Sequence, residues 1–269
     1  MIPSTSIFTN VINGYLPEPQ ASLLNGILFG INLKTSQEFY QQLKIVGLLH
    51  MVVLSGINIT LLGSIVGIVT CRISKLISCL ITILTIISFI LFVGPQAPIV
   101  RAGFMGILTL VAIIFGKRNV ALYSLFFSLI LILIFKTDWI KTISLQLSYG
   151  ATLGIILFGH TSSNEPKSIL SKIKTAIWKE IKPSLAAQIF TTPLIFYHFK
   201  QISIIAPVSN LFVSFLVAPL MIFGFITAIL GKINYSLGLP VSLICYGLLT
   251  YMVWIIKIFS SLPFVYFSF

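Results

Sequence analysis

What most limits the fold of this chain is a succession of apolar runs with almost no charge inside them. They cover residues 45–70, 76–94, 98–116, 119–135, 142–159, 184–198, 203–231 and 239–262. About 20 consecutive apolar residues in a helix cross the hydrocarbon of a bilayer. Only 8% of the 269 residues are charged, against 57% hydrophobic and a mean hydropathy of +1.08; a soluble domain carries about 25% charged residues. The runs lack the period-two alternation of an outer-membrane barrel. The expected fold class is an all-α polytopic transmembrane helical bundle of about eight segments, in one domain, with no internal repeat. The seventh run holds Pro207, Asn210 and Pro219 and is long enough to be broken in two.

Two regions fall outside the runs. Residues 1–44 read as an extracytoplasmic N-terminal segment, preceding a transmembrane domain over 45–269. Within the segment, 20–31 is too short to span and is expected at the interface or packed on the bundle. Thr35-Ser36-Gln37-Glu38 reads as a capping box with Thr35 at the N-cap, starting a helix that runs on to Ser55-Gly56. Residues 160–183 form the one long loop. Ile169, Leu170, Ile173, Ile177 and Ile181 share a helical face opposite most of the lysines, as in a basic amphipathic helix on a lipid surface. Its lysines, Lys167, Lys172, Lys174, Lys179 and Lys182, suit either anionic lipid or an emerging anionic substrate.

The net charge is +12, from 17 Lys and Arg against five acids. Alternate loops on one side carry Arg72, Lys75, Lys117, Arg118, Lys167, Lys172, Lys174, Lys179, Lys182 and Lys232, while the other side carries Lys136, Lys141, Lys200 and Arg101. The positive-inside rule makes the first side cytoplasmic and puts both termini outside. The same excess of cations suits a polyanion such as nucleic acid, and charge alone does not choose between the two accounts. No basic and apolar leader opens the chain, so no signal peptide is expected.

Polar groups at bilayer depth are costly and face a bundle interior or a wet cavity. The richest patch is Gly47-Leu48-Leu49-His50 through Ser55-Gly56-Ile57-Asn58 in the first run. On an unbroken helix Gly47, His50, Ser55 and Asn58 share less than half of the circumference, with Gly56 opposite as a possible break. Helix packing through small and hydrogen-bonding residues explains such a patch as readily as a pore lining does. Arg101, near the start of the third run, either snorkels outward or is a fixed cation at a pore mouth. In the fifth run Gln146, Ser148 and Tyr149 are lining candidates, and Gly150 with Gly154 is a G-x-x-x-G packing motif.

Several activities are disfavoured. No Asp or Glu lies inside a run, which argues against proton- or cation-coupled transport. No G-x-x-x-x-G-K-[ST] supplies a nucleotide site, so energy must come from a partner. The histidines and the three cysteines have no metal-ligand spacing; neither metal nor cofactor is expected. An intramembrane serine hydrolase using His50 and Ser55 would need a base beside its nucleophile, but on one helix the two lie about 140° apart. No catalytic residue is assigned, and the chain is not expected to be an enzyme.

Taken in order, the landmarks resemble the ComEC competence-protein family, in its polytopic membrane domain. Leu16-Pro17-Glu18-Pro19-Gln20-Ala21 and Gly26-Ile27-Leu28-Phe29-Gly30 look like that domain's opening. Gly47 through His50 with Leu54-Ser55-Gly56 is similar to its G-x-x-H-L-x-x-x-S-G signature. Val100-Arg101-Ala102 with Met105 and Gln146-Leu147-Ser148-Tyr149 match two further elements. Ala187-Gln188, Thr192-Pro193, Asn210-Leu211 and Ala218-Pro219-Leu220 follow in order. The resemblance implies a bacterial inner-membrane channel core importing single-stranded DNA during natural transformation. It implies as partners an external DNA receptor and nuclease and a cytoplasmic ATP-driven translocase, with membrane lipid around the bundle and self-association left open. The path candidates are His50, Ser55, Gly56, Asn58, Arg101, Gln146, Ser148, Tyr149, Gln188 and Asn210. Asn58 stands where the family often has a second histidine. Members frequently add an oligonucleotide-binding-fold domain and a metallo-β-lactamase-like nuclease domain; 269 residues are expected to hold neither, so nuclease activity is not carried over. A channel or transporter for a small solute is the competing class.

Overall fold

The computed structural model describes residues 3–31, 33–49, 56–117, 120–159, 169–203, 205–262 and 266–268. These residues form helices α1 (Pro3–Tyr15), α2 (Gln20–Phe29), α3 (Gln37–Val46), α4 (Gly56–Val69), α5 (Lys75–Val93), α6 (Ala97–Ile114) and α7 (Ala121–Phe135). A 3-10 turn over Thr137–Lys141 leads to α8 (Ile143–Phe158), α9 (Ile169–Phe199), α10 (Ala206–Ile233) and α11 (Tyr235–Ser261). Strands β1 (Gln201–Ser203) and β2 (Tyr266–Ser268) pair antiparallel, with Ile202 opposite Phe267. The fold is an all-α bundle with this one small ribbon among the described residues.

Among the described residues four helices are long and apolar enough to cross a bilayer: α5, α6, α10 and α11. α4, α7 and α8 have 14, 15 and 16 residues, short of the roughly 20 a perpendicular crossing requires. Length and composition therefore support four of the eight expected crossings. Leucines, isoleucines and aromatics stand exposed on the outer faces, including Leu80, Leu84 and Leu91 on α5, Phe126, Phe127 and Ile134 on α7, and Leu243 and Trp254 on α11. In water such faces would aggregate; against acyl chains they are at home.

The core explains where the N-terminal helices go. All ten residues of α2 are buried. Leu23, Leu24, Ile27 and Leu28 share one cluster with Leu43 of α3, Leu220 of α10 and Leu249 and Met252 of α11. Of the two placements left open for residues 20–31, the structure has the packed one. A second cluster joins Ile59 of α4, Ile86 and Phe89 of α5, and Ile99 and Ala102 of α6. Phe225 of α10 bridges the two, its ring 6.0 Å from Phe29 and 6.1 Å from Phe89, edge to face in both pairs.

Helix boundaries differ from expectation at four places. The cap of α3 is Ser36, one residue after Thr35, and its Oγ accepts the Phe39 N–H at 3.3 Å. α3 then stops at Gly47, which is left-handed at φ 77° and donates its N–H to the Leu43 and Lys44 carbonyls. The helix started at Ser36 therefore does not run on to Ser55-Gly56, and Gly47 does not share one unbroken helix with Asn58; His50 and Ser55 lie outside the described residues. The expected loop and the sixth run are joined, because α9 is one helix of 31 residues containing Pro183 and Pro193. α10 is likewise continuous through Pro219, with Pro207 in its first turn, where a proline lacks only an N–H that has no helical partner. The seventh run is therefore not broken.

Candidate functional site

Arg101 lies in the second turn of α6, and it is 7% exposed. A charge at this position does not snorkel; it is held inside the bundle. Its Nε donates to the Ser148 Oγ of α8 at 2.9 Å, and one terminal nitrogen donates to the Met105 Sδ at 3.3 Å. The guanidinium carbon stands 5.7 Å from the centroid of the Tyr149 ring, within reach of its negative face. The Tyr149 hydroxyl is 2.7 Å from the Ser128 Oγ of α7. Ser128 uses its own proton on the Leu125 carbonyl at 2.6 Å, so Tyr149 is the donor in that pair. Among the described residues no carboxylate pairs with Arg101.

The start of α4 completes the cluster. A Cβ added to Gly56 would lie 3.1 Å from the Ala102 Cβ and 3.2 Å from the second terminal nitrogen of Arg101. Glycine lets α4 approach α6 at the guanidinium itself. Gly56, Arg101, Ser148 and Tyr149, far apart in sequence, are thus brought to one place.

Other candidates fall elsewhere. Asn58 is 1% exposed, and its Nδ2 donates to the Ile27 carbonyl of α2 at 2.7 Å. Gln146 donates to the Ile140 carbonyl at 3.2 Å, and its Oε1 lies 3.3 Å from Nε2 of the exposed His198 on α9. Asn210 donates to the Ser184 Oγ at 3.0 Å, while its buried Oδ1 has no partner. Gln188 is half-buried on α9. Of the basic set, Lys179 is exposed and Lys182 half-buried; Lys167 and the side chains of Lys172 and Lys174 lie outside the described residues. His50 and Ser55 also lie outside them, so the hydrolase alternative gains no geometry. Among the described residues no three of His, Cys, Asp and Glu gather as metal ligands would.

Ser128 and Ser184 did not emerge from the sequence. Ser128 carried a readable signal: it follows Ser124 by one helical turn in an otherwise apolar segment, and both are buried. Ser184 is the first residue of the sixth apolar run, and nothing local marks it.

The family profile described as Competence protein matches residues 27–269. The chain belongs to the competence protein family. It is similar to ComE operon protein 3 of Bacillus subtilis (strain 168), at 23% identity over 206 residues, which is 76% of this chain and 26% of that protein. The chain thus spans about a quarter of the length of the curated relative it matches. No solved structure matches it. Membership and the apolar helices establish a membrane protein of the competence family. Every element of the Arg101 cluster lies inside the matched region.

Proposed function

We propose that this chain is the inner-membrane core through which a single DNA strand is drawn into the cytoplasm. The observation that carries the reading is Arg101. A buried arginine costs about 2.5–3.5 kcal/mol on insertion scales, and neutral partners such as Ser148 and a thioether leave its charge uncompensated. A guanidinium is a planar fork of five donors that matches a phosphate. A phosphodiester is an anion that would take up the charge, and membership of the competence family supports DNA as the polymer that carries it.

In this reading the loop basic residues set the direction: Arg72, Lys75, Lys117 and Lys232 face the cytoplasm, both termini face outward, and Arg101 stands near the outer end of α6. Gln146, Gln188 and Asn210 offer amides along the path, giving the strand contacts that guide without trapping. Lys179 and Lys182 meet the emerging strand. Driving force comes from a cytoplasmic ATP-driven partner, and an external receptor and nuclease deliver the strand.

The test is uptake of labelled DNA by cells expressing Arg101→Gln at wild-type membrane levels. A charge-assisted contact is worth about 1.5–3 kcal/mol, so uptake should fall roughly ten- to hundredfold. Undiminished uptake in the correctly inserted variant removes Arg101 from the path. Intact transformation after deletion of the whole protein removes the channel reading.

A further inference from the structure

At 7% exposure, Arg101 does not face an open passage in this conformation. The contacts that hold α8, which supplies Ser148 and Tyr149, are of two kinds. α8 lies against α9 backbone to backbone: a Cβ on Gly154 would collide with the Ala186 carbonyl, and one on Gly150 would sit 3.4 Å from the Leu194 Cδ1. Parting these two helices would open a void along the glycine face. Toward α6 and α7, in contrast, α8 is tied by Arg101–Ser148, by Tyr149–Ser128 and by the small apolar group of Ala97, Ile132 and Leu145. α6 has its own core with α4 and α5, through Ile59, Ile86, Phe89 and Ile99.

We propose that Arg101, Ser148, Tyr149 and Ser128 form a latch that seals the path at rest, and that the α8–α9 pair is the part that moves when it opens. The proposal rests on the reading of Arg101 as part of the DNA path. A phosphodiester replaces the Ser148 hydroxyl on the guanidinium. A hydrogen bond between two ionised groups is roughly twice as strong as one to a neutral partner, so an anionic strand binds the open arrangement better than the closed one. That difference in affinity, and nothing else, shifts the equilibrium. A neutral polymer lacks it and leaves the latch shut.

The experiment uses the full chain in vesicles loaded with a chloride-sensitive dye, comparing wild type with the double variant Ser148→Ala, Tyr149→Phe, which keeps Arg101 but removes its tie and the tie to Ser128. Resting chloride leak is expected to rise several-fold. An unchanged leak, in a variant that elutes and melts like wild type, overturns the latch. Should the double variant not fold, Ser128→Ala is judged by the same leak. Unchanged leak with lost DNA uptake in Arg101→Gln overturns the latch and leaves the path standing. Raised leak with normal uptake in Arg101→Gln keeps the seal and removes DNA from it.

Discussion

Gly47 shows what a single position in this chain carries. Its φ of 77° is the left-handed conformation, and an added Cβ would stand 2.6 Å from the Ala206 Cβ of α10. The backbone alone costs an L-residue about 1–2 kcal/mol there. Gly47→Ala is expected to lower the thermal unfolding midpoint in detergent, and a midpoint equal to wild type would contradict the geometry. Asn58 is a second such position. Its amide pins α4 to the Ile27 carbonyl inside the core, and Asn58→Ala leaves that carbonyl unpaired at a cost of about 1–3 kcal/mol. The same melting measurement checks it. Both residues drew attention in the sequence as polar or small groups at depth. Which partner each has, a helix carbonyl or a neighbouring methyl, depends on chain segments distant in sequence and is not encoded locally.

Among elements, α8 and α9 give the sharpest contrast. Gly154→Ala drives a methyl into the Ala186 carbonyl, and overpacking of this kind costs about 1–3 kcal/mol. Gly106→Ala on α6 places its methyl 3.7 Å from the Ile86 Cδ1, an ordinary contact, and is expected to be tolerated. Paired melting curves that lose stability in both, or in neither, would refute the difference in packing. Helix identity was legible from apolar runs, and the G-x-x-x-G of α8 from its spacing. Boundaries were less so. Ser36 takes the cap that Thr35 was expected to hold because the chain turns into its helix one residue later. α9 joins the expected basic amphipathic helix to the sixth apolar run and continues through Pro183, which by itself would be read as the boundary between them.

At the scale of the molecule the orientation can be read with the chain's own thiols. Cys71 is exposed in the α4–α5 connection beside Arg72, whereas Cys79 and Cys245 are buried. If the basic side is cytoplasmic, a membrane-impermeant maleimide should label Cys71 in inside-out vesicles and leave it unlabelled in intact spheroplasts. Labelling from outside would invert the proposed topology. The ribbon of β1 and β2 ties the segment before α10 to the segment after α11, so both ends of that helix pair meet on one side of the bundle. That matches a hairpin of two crossings, with Lys232 at its opposite end.

By itself the sequence determined class and family membership: too few charges and too many long apolar runs for anything but a helical membrane bundle, and an ordered set of landmarks spread over nearly the whole chain. These properties are sums over many residues, so no single misplacement disturbs them. Tertiary structure alone decided that Arg101 is buried, not snorkelling, and that Ser148, Tyr149 and Gly56 gather on it with the unanticipated Ser128. It also decided that Asn58 is a tie to α2. The reason is physical. A polar side chain in an apolar helix must find a partner, and composition says that much. The partner lies across a helix interface, and only packing says which one.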